Sequence, residues 1–138
     1  RSRDALAVAN ANRRRFPSGR RVFLMQCDLG DPFDCAFGGI LANLPYVRTQ
    51  EIPRLKAEIW RHEPVSSLDG GTDGLSLIRR LAEQAPALLL NGGWLHLEVG
   101  DGQAGDVMAM MAADGRWGSI SAVADLNGIL RVVRGRRA

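Results

Sequence analysis

The sequence has 138 residues, of which 46% are hydrophobic, and its formal net charge is +3 at pH 7. This length allows one domain at most, with enough apolar residues for a core. No apolar run is long enough to span a membrane and no signal peptide opens the chain, so we expect neither a membrane protein nor a secreted one. The first residue is Arg rather than Met, which indicates a piece of a longer protein or a processed product.

The basic residues are almost all arginine, and they are concentrated towards the two ends of the chain. The early group is Arg13, Arg14, Arg15, Arg20 and Arg21, and the late group is Arg131, Arg134, Arg136 and Arg137. Positive charge of this kind can attract nucleic acid. Aromatic residues do not alternate with these arginines, as a platform for single-stranded nucleic acid would require. We therefore expect a solvated basic surface.

Two features are reminiscent of metal or redox sites without matching them. Cys27 and Cys35 lie among apolar residues and have no metal-ligand spacing, so we expect buried, reduced thiols in a cytoplasmic protein. Residues 69–74 are rich in Asp and Gly but lack the alternating acids and the closing Glu of an EF-hand. No metal site is expected.

The first predicted elements are a helix and a short strand. The helix covers residues 2–14, with Ser2 as its N-cap and Asp4 in the first turn, where an acid is favourable. Residues 22–25, Val-Phe-Leu-Met, are predicted to form a buried strand. Residues 28–39 contain three glycines and a proline and are predicted as a loop.

A second strand is predicted over residues 39–42, and Asn43-Leu44-Pro45-Tyr46 follows it directly. Pro45 cannot donate to a sheet ladder, and it restricts the residue before it to extended geometry. An Asn amide, a restricted carbonyl and a Tyr ring therefore meet at the C-terminal end of a strand. Open α/β sheets bind their ligands at this place.

The chemistry of this stretch suits a planar nitrogen substrate. An amide or aromatic amine nitrogen is a poor nucleophile because its lone pair is delocalised. The Asn43 side-chain oxygen and the Leu44 main-chain oxygen would hold its two N–H groups and aim the lone pair at an electrophile, while Tyr46 packs over the planar group. Such positioning contributes ~7–11 kcal/mol in the best intramolecular cases. A strand that merely ends in a turn is the other interpretation of so short a match.

The middle of the chain is predicted to contain a long irregular connection and then a helix. Residues 47–73 are irregular apart from a helical turn near residues 55–60, and His62 in this connection is interpreted as polar surface. The helix over residues 74–85 has Asp73 as its N-cap.

In the last third of the sequence, the residue pattern predicts a turn at residues 91–93, a strand at 94–99, a helix at 103–113 and strands at 119–124 and 130–133. In the strand at 94–99, Leu95 and Leu97 face one side, whereas His96 and Glu98 form a polar pair under a covering helix. The final two strands are joined by a short link and should pair antiparallel. This alternation of strands and helices, closed by a hairpin, predicts an α/β sheet.

Several motifs together carry a resemblance to a known family. Asn43-Leu44-Pro45-Tyr46 resembles the Asn-Pro-Pro-Tyr signature of methyltransferases that modify planar nitrogens, which DNA adenine methyltransferases share. The further matching stretches are His62-Glu63-Pro64, residues 68–75, Gly92-Gly93-Trp94-Leu95, Leu97-Glu98-Val99-Gly100 with Gln103, Asp125-Leu126 and Arg131-Val132-Val133. With these, nearly the whole chain resembles the HemK/PrmC family of protein-(glutamine-N5) methyltransferases, which act on peptide-chain release factors.

The resemblance implies a class I, Rossmann-like fold that uses S-adenosylmethionine. The substrate would be the glutamine of the Gly-Gly-Gln loop of a release factor, and no general base is needed because the methylated amide loses its proton easily. Asn43 would be catalytic. The implied substrate-binding residues are Asn43, Leu44, Pro45 and Tyr46, and the implied cofactor-binding residues are Asp28, Leu29 and Asn43.

Two departures from the family pattern matter. Leu44 stands where the family often has Pro, and this change should be tolerated because a main-chain carbonyl acts there. The glycine-rich loop around the cofactor's methionine end, and the acid that holds the ribose, do not occur in this sequence. Residues 1–138 are therefore expected to be the C-terminal portion of a single catalytic domain. The chain alone is expected to bind the cofactor weakly or not at all, and to be inactive.

The family's sheet order, 3-2-1-4-5-7-6, predicts the arrangement of the strands. Strands 1 and 2 are missing here, residues 22–25 would be strand 3, and residues 39–42 would be strand 4. The last four strands should still form a sheet, with an exposed edge at strand 4. Residues 1–27 should lack a neighbouring strand on which to dock.

Two other functions stay open at this point. DNA adenine-N6 methylation uses the same chemistry, and the arginine-rich ends would favour it. The sequence has no target-recognition insertion and no cluster of base-stacking aromatics, so nucleic acid is not the expected substrate. A truncated remnant that keeps only the substrate slot would be non-catalytic. No membrane partner is expected.

Overall fold

The computed structural model describes residues 2–138, without the side chains of Ala57, Trp60 and Arg61. The chain divides into two compact units, one up to Phe33 and the other Asp34–Ala138. Each unit is described by itself. Within the described residues, no helix is both long enough and apolar enough to cross a membrane.

The first unit contains helix α1, Arg3–Arg13, which confirms the first predicted element. Ser2 is its N-cap, and the Ser2 hydroxyl accepts a hydrogen bond from the Ala5 N–H at 3.1 Å. This bond satisfies one of the amide groups that a helix leaves unpaired at its start. A 3-10 helix, Pro17–Arg21, follows where proline ends the α-helical geometry.

The strand predicted at residues 22–25 is wrong. These residues have no regular structure, and all four side chains are exposed, Phe23 by 91%. An apolar run forms a strand only where a neighbouring strand accepts and donates its main-chain hydrogen bonds. Within the described residues no strand pairs with this run, so its strand propensity is not realised.

The two cysteines lie in the irregular segment that follows and differ from the prediction. Both are free, but Cys27 is half-buried and Cys35 is exposed. Neither cysteine is among the buried core residues.

The second unit is built on a four-stranded mixed sheet, which confirms the predicted α/β class. Its strands are β1 Phe37–Ala42, β2 Leu89–Glu98, β3 Trp117–Ala124 and β4 Leu130–Arg137. The order is β1-β2-β4-β3, with β1 and β2 parallel and β4 antiparallel to both of its neighbours. This is the order predicted for the last four strands, and β1 lies at the exposed edge that was expected.

The turn predicted at residues 91–93 is wrong, because these residues belong to β2. Phe37 pairs with Leu89 and Gly39 pairs with Trp94, so β2 advances by five residues while β1 advances by two. Gly92 has φ +76° within this irregular stretch. The glycines therefore make a bulge inside one long strand rather than a turn that ends it.

Helices α4, Ser76–Leu88, and α5, Ala104–Asp114, supply the helical part of the core. α4 begins two residues later than predicted, since its N-cap is Leu75; Asp73 instead accepts a hydrogen bond from the Leu75 N–H at 3.0 Å. α5 matches its prediction and ends at Gly115, whose φ of +69° is the left-handed geometry of a C-cap.

The core lies on one face of the sheet, as the alternation predicts. Leu95, Leu97 and Val133 are fully buried. Gly135 pairs with Leu95, and a Cβ atom on Gly135 would collide with Met111 of α5, so α5 packs on the Leu95 face. The opposite face carries His96 and Glu98, so α5 is not the covering helix that was expected over that polar pair.

Between β1 and α4, residues 47–73 are less irregular than predicted. They contain a 3-10 helix, Thr49–Arg54, and two short helices, α2 Ala57–His62 and α3 Val65–Leu68. His62 is exposed at the end of α2, in agreement with its interpretation as polar surface.

Candidate functional site

The Asn-Leu-Pro-Tyr stretch lies at the carboxyl end of β1, as the sequence predicts. β1 ends at Ala42, and the four residues that follow have no regular structure. Asn43 is exposed, whereas the other three are half-buried. Ala42 pairs in parallel with Leu97, so this stretch and the C-terminal end of β2 lie at the same end of the sheet.

Two oxygens of this stretch make no hydrogen bond within the described residues. Within residues 2–138, no hydrogen bond is made to the Asn43 side chain or to the Leu44 main-chain oxygen. Pro45 has no N–H group, so the chain beyond Leu44 cannot continue the sheet ladder. A side-chain acceptor and a main-chain acceptor are thus left open on adjacent residues, which suits a ligand with two N–H groups.

Tyr46 is held at both its side chain and its main chain. Its hydroxyl donates to Glu98 Oε1 at 3.4 Å, and its carbonyl oxygen accepts a hydrogen bond from Gln103 Nε2 at 2.9 Å. Burial raises the pKa of the Tyr46 hydroxyl above its usual value, and the Glu98 carboxylate raises that pKa further, while Arg131 acts in the opposite direction. The ring therefore packs against the protein as a neutral phenol.

A second loop, residues 68–71, hydrogen-bonds to the residues that directly follow the stretch. Val47 forms an isolated parallel bridge with Asp69, through Val47 N–H to Leu68 O at 3.0 Å and Gly70 N–H to Val47 O at 2.8 Å. The Asp69 carboxylate accepts hydrogen bonds from the Thr49 hydroxyl at 2.7 Å and from the Gly71 N–H at 2.9 Å. These two bonds lower the pKa of Asp69 below its usual value. The acid of this loop thus works as an internal turn acceptor.

Three glycines permit the close packing of this loop and the end of β2 against residues 45–46. A Cβ atom on Gly70 would lie 2.7 Å from the Pro45 carbonyl oxygen. Gly74 has φ +78°, and its Cβ would collide with the Tyr46 carbonyl oxygen. A Cβ on Gly100 would lie 3.2 Å from the Tyr46 ring atom Cδ2. Residues 45–46 therefore pack so closely against these three glycines that side chains at the glycine positions would crowd them.

The predicted cofactor residues Asp28 and Leu29 belong to the first unit, and Asn43 belongs to the second. The Asp28 carbonyl oxygen accepts the Asp31 N–H at 3.2 Å, which closes a turn. Leu29 within that turn has φ +49°, a conformation that costs a non-glycine residue energy and is found at ligand-binding loops. Both residues are half-buried.

The supporting residues around Tyr46 were not assigned a role from the sequence. Glu98 is 52 residues from Tyr46 and Gln103 is 57 residues away. Gln103 is 7% exposed, and a buried polar residue of this kind must satisfy its amide inside the protein. The sequence signal was available only as the Gly100–Gln103 spacing at the start of a helix.

For metals, the described residues contain no group of three or more His, Cys, Asp or Glu that could hold an ion.

Comparison with known proteins adds a consistent set of relatives, although no family model matches the chain. The release factor glutamine methyltransferase of Gloeobacter violaceus is 41% identical over 133 residues, which are 96% of this chain and 46% of that protein. The protein of the same name from Geobacter sulfurreducens is 41% identical over 136 residues, 98% of this chain and 47% of that one. The chain thus spans about half the length of the curated relatives it matches.

Among solved structures, the chain is similar to a release factor-specific protein-(glutamine-N5) methyltransferase from Alicyclobacillus acidocaldarius. The two are 37% identical, and the likeness covers 47% of this chain and 41% of that one with a TM-score of 0.41.

Proposed function

We propose a glutamine methyltransferase function for the protein that contains this chain, because the chain belongs to the release factor glutamine methyltransferase family. In this proposal, residues 1–138 are the C-terminal portion of the catalytic domain. The substrate is the glutamine in the Gly-Gly-Gln loop of a peptide-chain release factor. The protein would act in the cytoplasm, where release factors work.

The observation that carries the proposal is the pair of open acceptors at the carboxyl end of β1. A primary carboxamide has two N–H groups, and the Asn43 side-chain oxygen and the Leu44 carbonyl oxygen offer one acceptor for each. A hydroxyl or an amine with one N–H would leave an acceptor unpaired. The half-buried Tyr46 ring, held by Glu98, offers a flat surface beside them.

The reaction requires the carboxamide nitrogen to attack with a lone pair that is normally delocalised. Asn43 and Leu44 would hold both N–H groups, which fixes the amide plane and turns the nitrogen towards the electrophile. Such orientation contributes up to ~7–11 kcal/mol in favourable intramolecular reactions. The new C–N bond would form as the C–S bond of the sulfonium methyl group breaks and the sulfur leaves as a neutral thioether. The nitrogen would then carry a positive charge and lose a proton to water. The methylated amide loses this proton easily, so no side-chain base is required.

S-adenosylmethionine, when bound, would supply an electrophilic methyl group on its sulfonium. The family resemblance assigns Asp28 and Leu29 to the adenine, and Leu29 has φ +49°. Asn43 would lie next to the methyl group. The residues for the ribose and for the methionine end do not occur in this chain.

A methyl-transfer assay tests the proposal. The full-length protein that contains this chain is incubated with tritiated S-adenosylmethionine and either a release factor, the same factor with Gly-Gly-Gln changed to Gly-Gly-Glu, or double-stranded DNA. We expect label in the first substrate alone. Label in DNA would favour adenine methylation, and no label in any substrate would favour a non-catalytic remnant.

A further inference from the structure

Gln103 is a buried side chain that joins two segments far apart in sequence. Its Oε1 accepts a hydrogen bond from the Gly100 N–H at 2.8 Å, and its Nε2 donates to the Tyr46 carbonyl oxygen at 2.9 Å. It is 7% exposed. Both ends of the amide are therefore used, and both partners are main-chain groups.

The main chain of Gln103 is itself fixed. The Gln103 N–H donates to the Gly100 carbonyl oxygen at 3.2 Å, and the Gln103 carbonyl oxygen accepts the Val107 N–H at 3.1 Å in the first turn of α5. A side chain anchored in this way transmits the position of α5 to the group it binds. The group here is the carbonyl that closes the Asn-Leu-Pro-Tyr stretch.

Two glycines pack closely around this amide. A Cβ on Gly74 would lie 2.5 Å from Gln103 Nε2, and a Cβ on Gly100 would lie 2.9 Å from Gln103 Oε1. Real Cβ atoms do not approach polar atoms so closely. Three segments thus converge on the amide.

We propose that Gln103 is a positioning residue for methyl transfer: by fixing the Tyr46 carbonyl, it fixes the direction of the Leu44 carbonyl that receives the substrate amide. Only Pro45 lies between the two residues, and its ring restricts the rotation that could absorb a movement of Tyr46. This inference rests on the proposed function. Gln103 touches neither reacting atom, and it acts through the stretch it holds.

The matched variant is Gln103→Glu, which keeps the shape and the acceptor for the Gly100 N–H. It replaces the donor with a second carboxylate oxygen that repels the Tyr46 carbonyl oxygen. A misplacement of about 1 Å at a reacting group costs about 100-fold in rate. We therefore expect kcat on the release factor to fall about 10- to 100-fold, with the Kd for S-adenosylmethionine within about twofold of the wild type.

The control for the added charge is Gln50→Glu, because Gln50 is exposed on the 3-10 helix. We expect wild-type kcat for this variant. Gln103→Met, which removes both hydrogen bonds without adding a charge, is measured beside Gln103→Glu. If Gln103→Glu does not fold, Gln103→Met takes its place as the test, and we expect the same loss of kcat.

A second readout does not depend on activity. In full-length protein with ¹³C-labelled tyrosine carbonyls, the Tyr46 signal is identified by its loss in Tyr46→Phe. We expect this signal to move in Gln103→Glu, because its hydrogen-bond donor is gone. If the wild type does not methylate a release factor, the proposed function fails, and the signal still reports the Gln103 contact.

A Gln103→Glu protein that folds and keeps kcat within twofold of the wild type would overturn the inference. So would an unmoved Tyr46 carbonyl signal. A loss of kcat that only follows a parallel loss of cofactor affinity and of folded protein also counts against it, since that pattern indicates general destabilisation.

Discussion

Asn43 has an exposed side chain at the end of β1 that makes no internal hydrogen bond within the described residues. A residue that only closed a turn would use its amide locally, as Asp69 and Asp125 use their carboxylates. An amide that is kept open in this position is available for a substrate.

We predict that Asn43→Ala lowers kcat/KM at least about 100-fold, the cost of removing one preorganised group that acts on the reacting atoms. Because no internal bond is lost, the free energy of unfolding should change by less than about 0.5 kcal/mol. Steady-state methylation of a release factor and urea unfolding of the full-length protein measure the two effects.

Asn12→Ala is the matched control, since Asn12 is exposed on α1 and should leave both quantities unchanged. Wild-type activity in Asn43→Ala would remove Asn43 from the reaction. A large loss of stability would instead give it a structural role.

Among single residues, the sequence revealed the Asn-Leu-Pro-Tyr stretch and could not reveal what holds it. Proline and the preceding residue restrict each other through atoms that are adjacent in the chain, so that constraint is readable locally. The bond from Gln103 to Tyr46 depends on where α5 begins relative to β1. That relation exists only after the strands have aligned.

The glycine loop between α3 and α4 shows how one element can position another. Its main chain bonds to Val47 and Thr49, and Gly74 packs against the Tyr46 carbonyl oxygen. In composition the same residues superficially resemble a cation loop, but they lack the acid spacing of an EF-hand. In the structure the Asp69 carboxylate binds its own loop and the Thr49 hydroxyl.

We predict that Gly74→Ala destabilises the fold by about 2–4 kcal/mol, because alanine is strained at φ +78° and its Cβ would press on the Tyr46 carbonyl oxygen and Gln103. Methylation should fall as well, since the displaced carbonyl belongs to the substrate stretch. Urea unfolding and kcat of the full-length variant test the two expectations.

Gly105→Ala provides the comparison. Gly105 lies in α5 with open space around its Cβ position, so alanine should be neutral or stabilise the protein by up to about 1 kcal/mol. Equal stabilities of the two variants would mean that the space beside Tyr46 can open at no cost.

At the scale of elements, the two wrong predictions, a strand at residues 22–25 and a turn at residues 91–93, have one cause. Strand propensity describes a side chain on a pleated surface, and it does not supply the neighbouring strand. The apolar run at 22–25 has strand composition and no partner within the described residues. The glycines at 92 and 93 have turn composition, but β1 pairs on both sides of them.

In the second unit, the sheet buries one face and has two edge strands, β1 and β3. β1 is an edge strand, and Leu41 on it is 83% exposed. The family resemblance assigns only Asp28, Leu29 and Asn43 to the cofactor; the first two residues belong to one unit and Asn43 to the other. The chain spans about half the length of the curated relatives it matches.

We predict that the isolated 138-residue chain does not bind S-adenosylmethionine at micromolar concentrations, whereas the full-length protein that contains it does. Too few contacts to the ribose and the methionine end are present to offset the cost of immobilising the ligand. Isothermal titration of both proteins under the same conditions decides the matter. Micromolar affinity in the isolated chain would show that these three residues suffice.

The sequence alone was enough to establish the α/β class, the order of the four strands, the capped helix α1 and the position of the candidate substrate stretch. The class, the helix and the stretch follow from periodicity, capping and proline geometry within a few residues, whereas the strand order follows from the resemblance to the methyltransferase family. The partners of Tyr46, the fate of residues 22–25 and the bulge in β2 came from the folded molecule. They depend on contacts between segments about 50 residues apart, and such contacts form only when the sheet has fixed which strands and loops are neighbours.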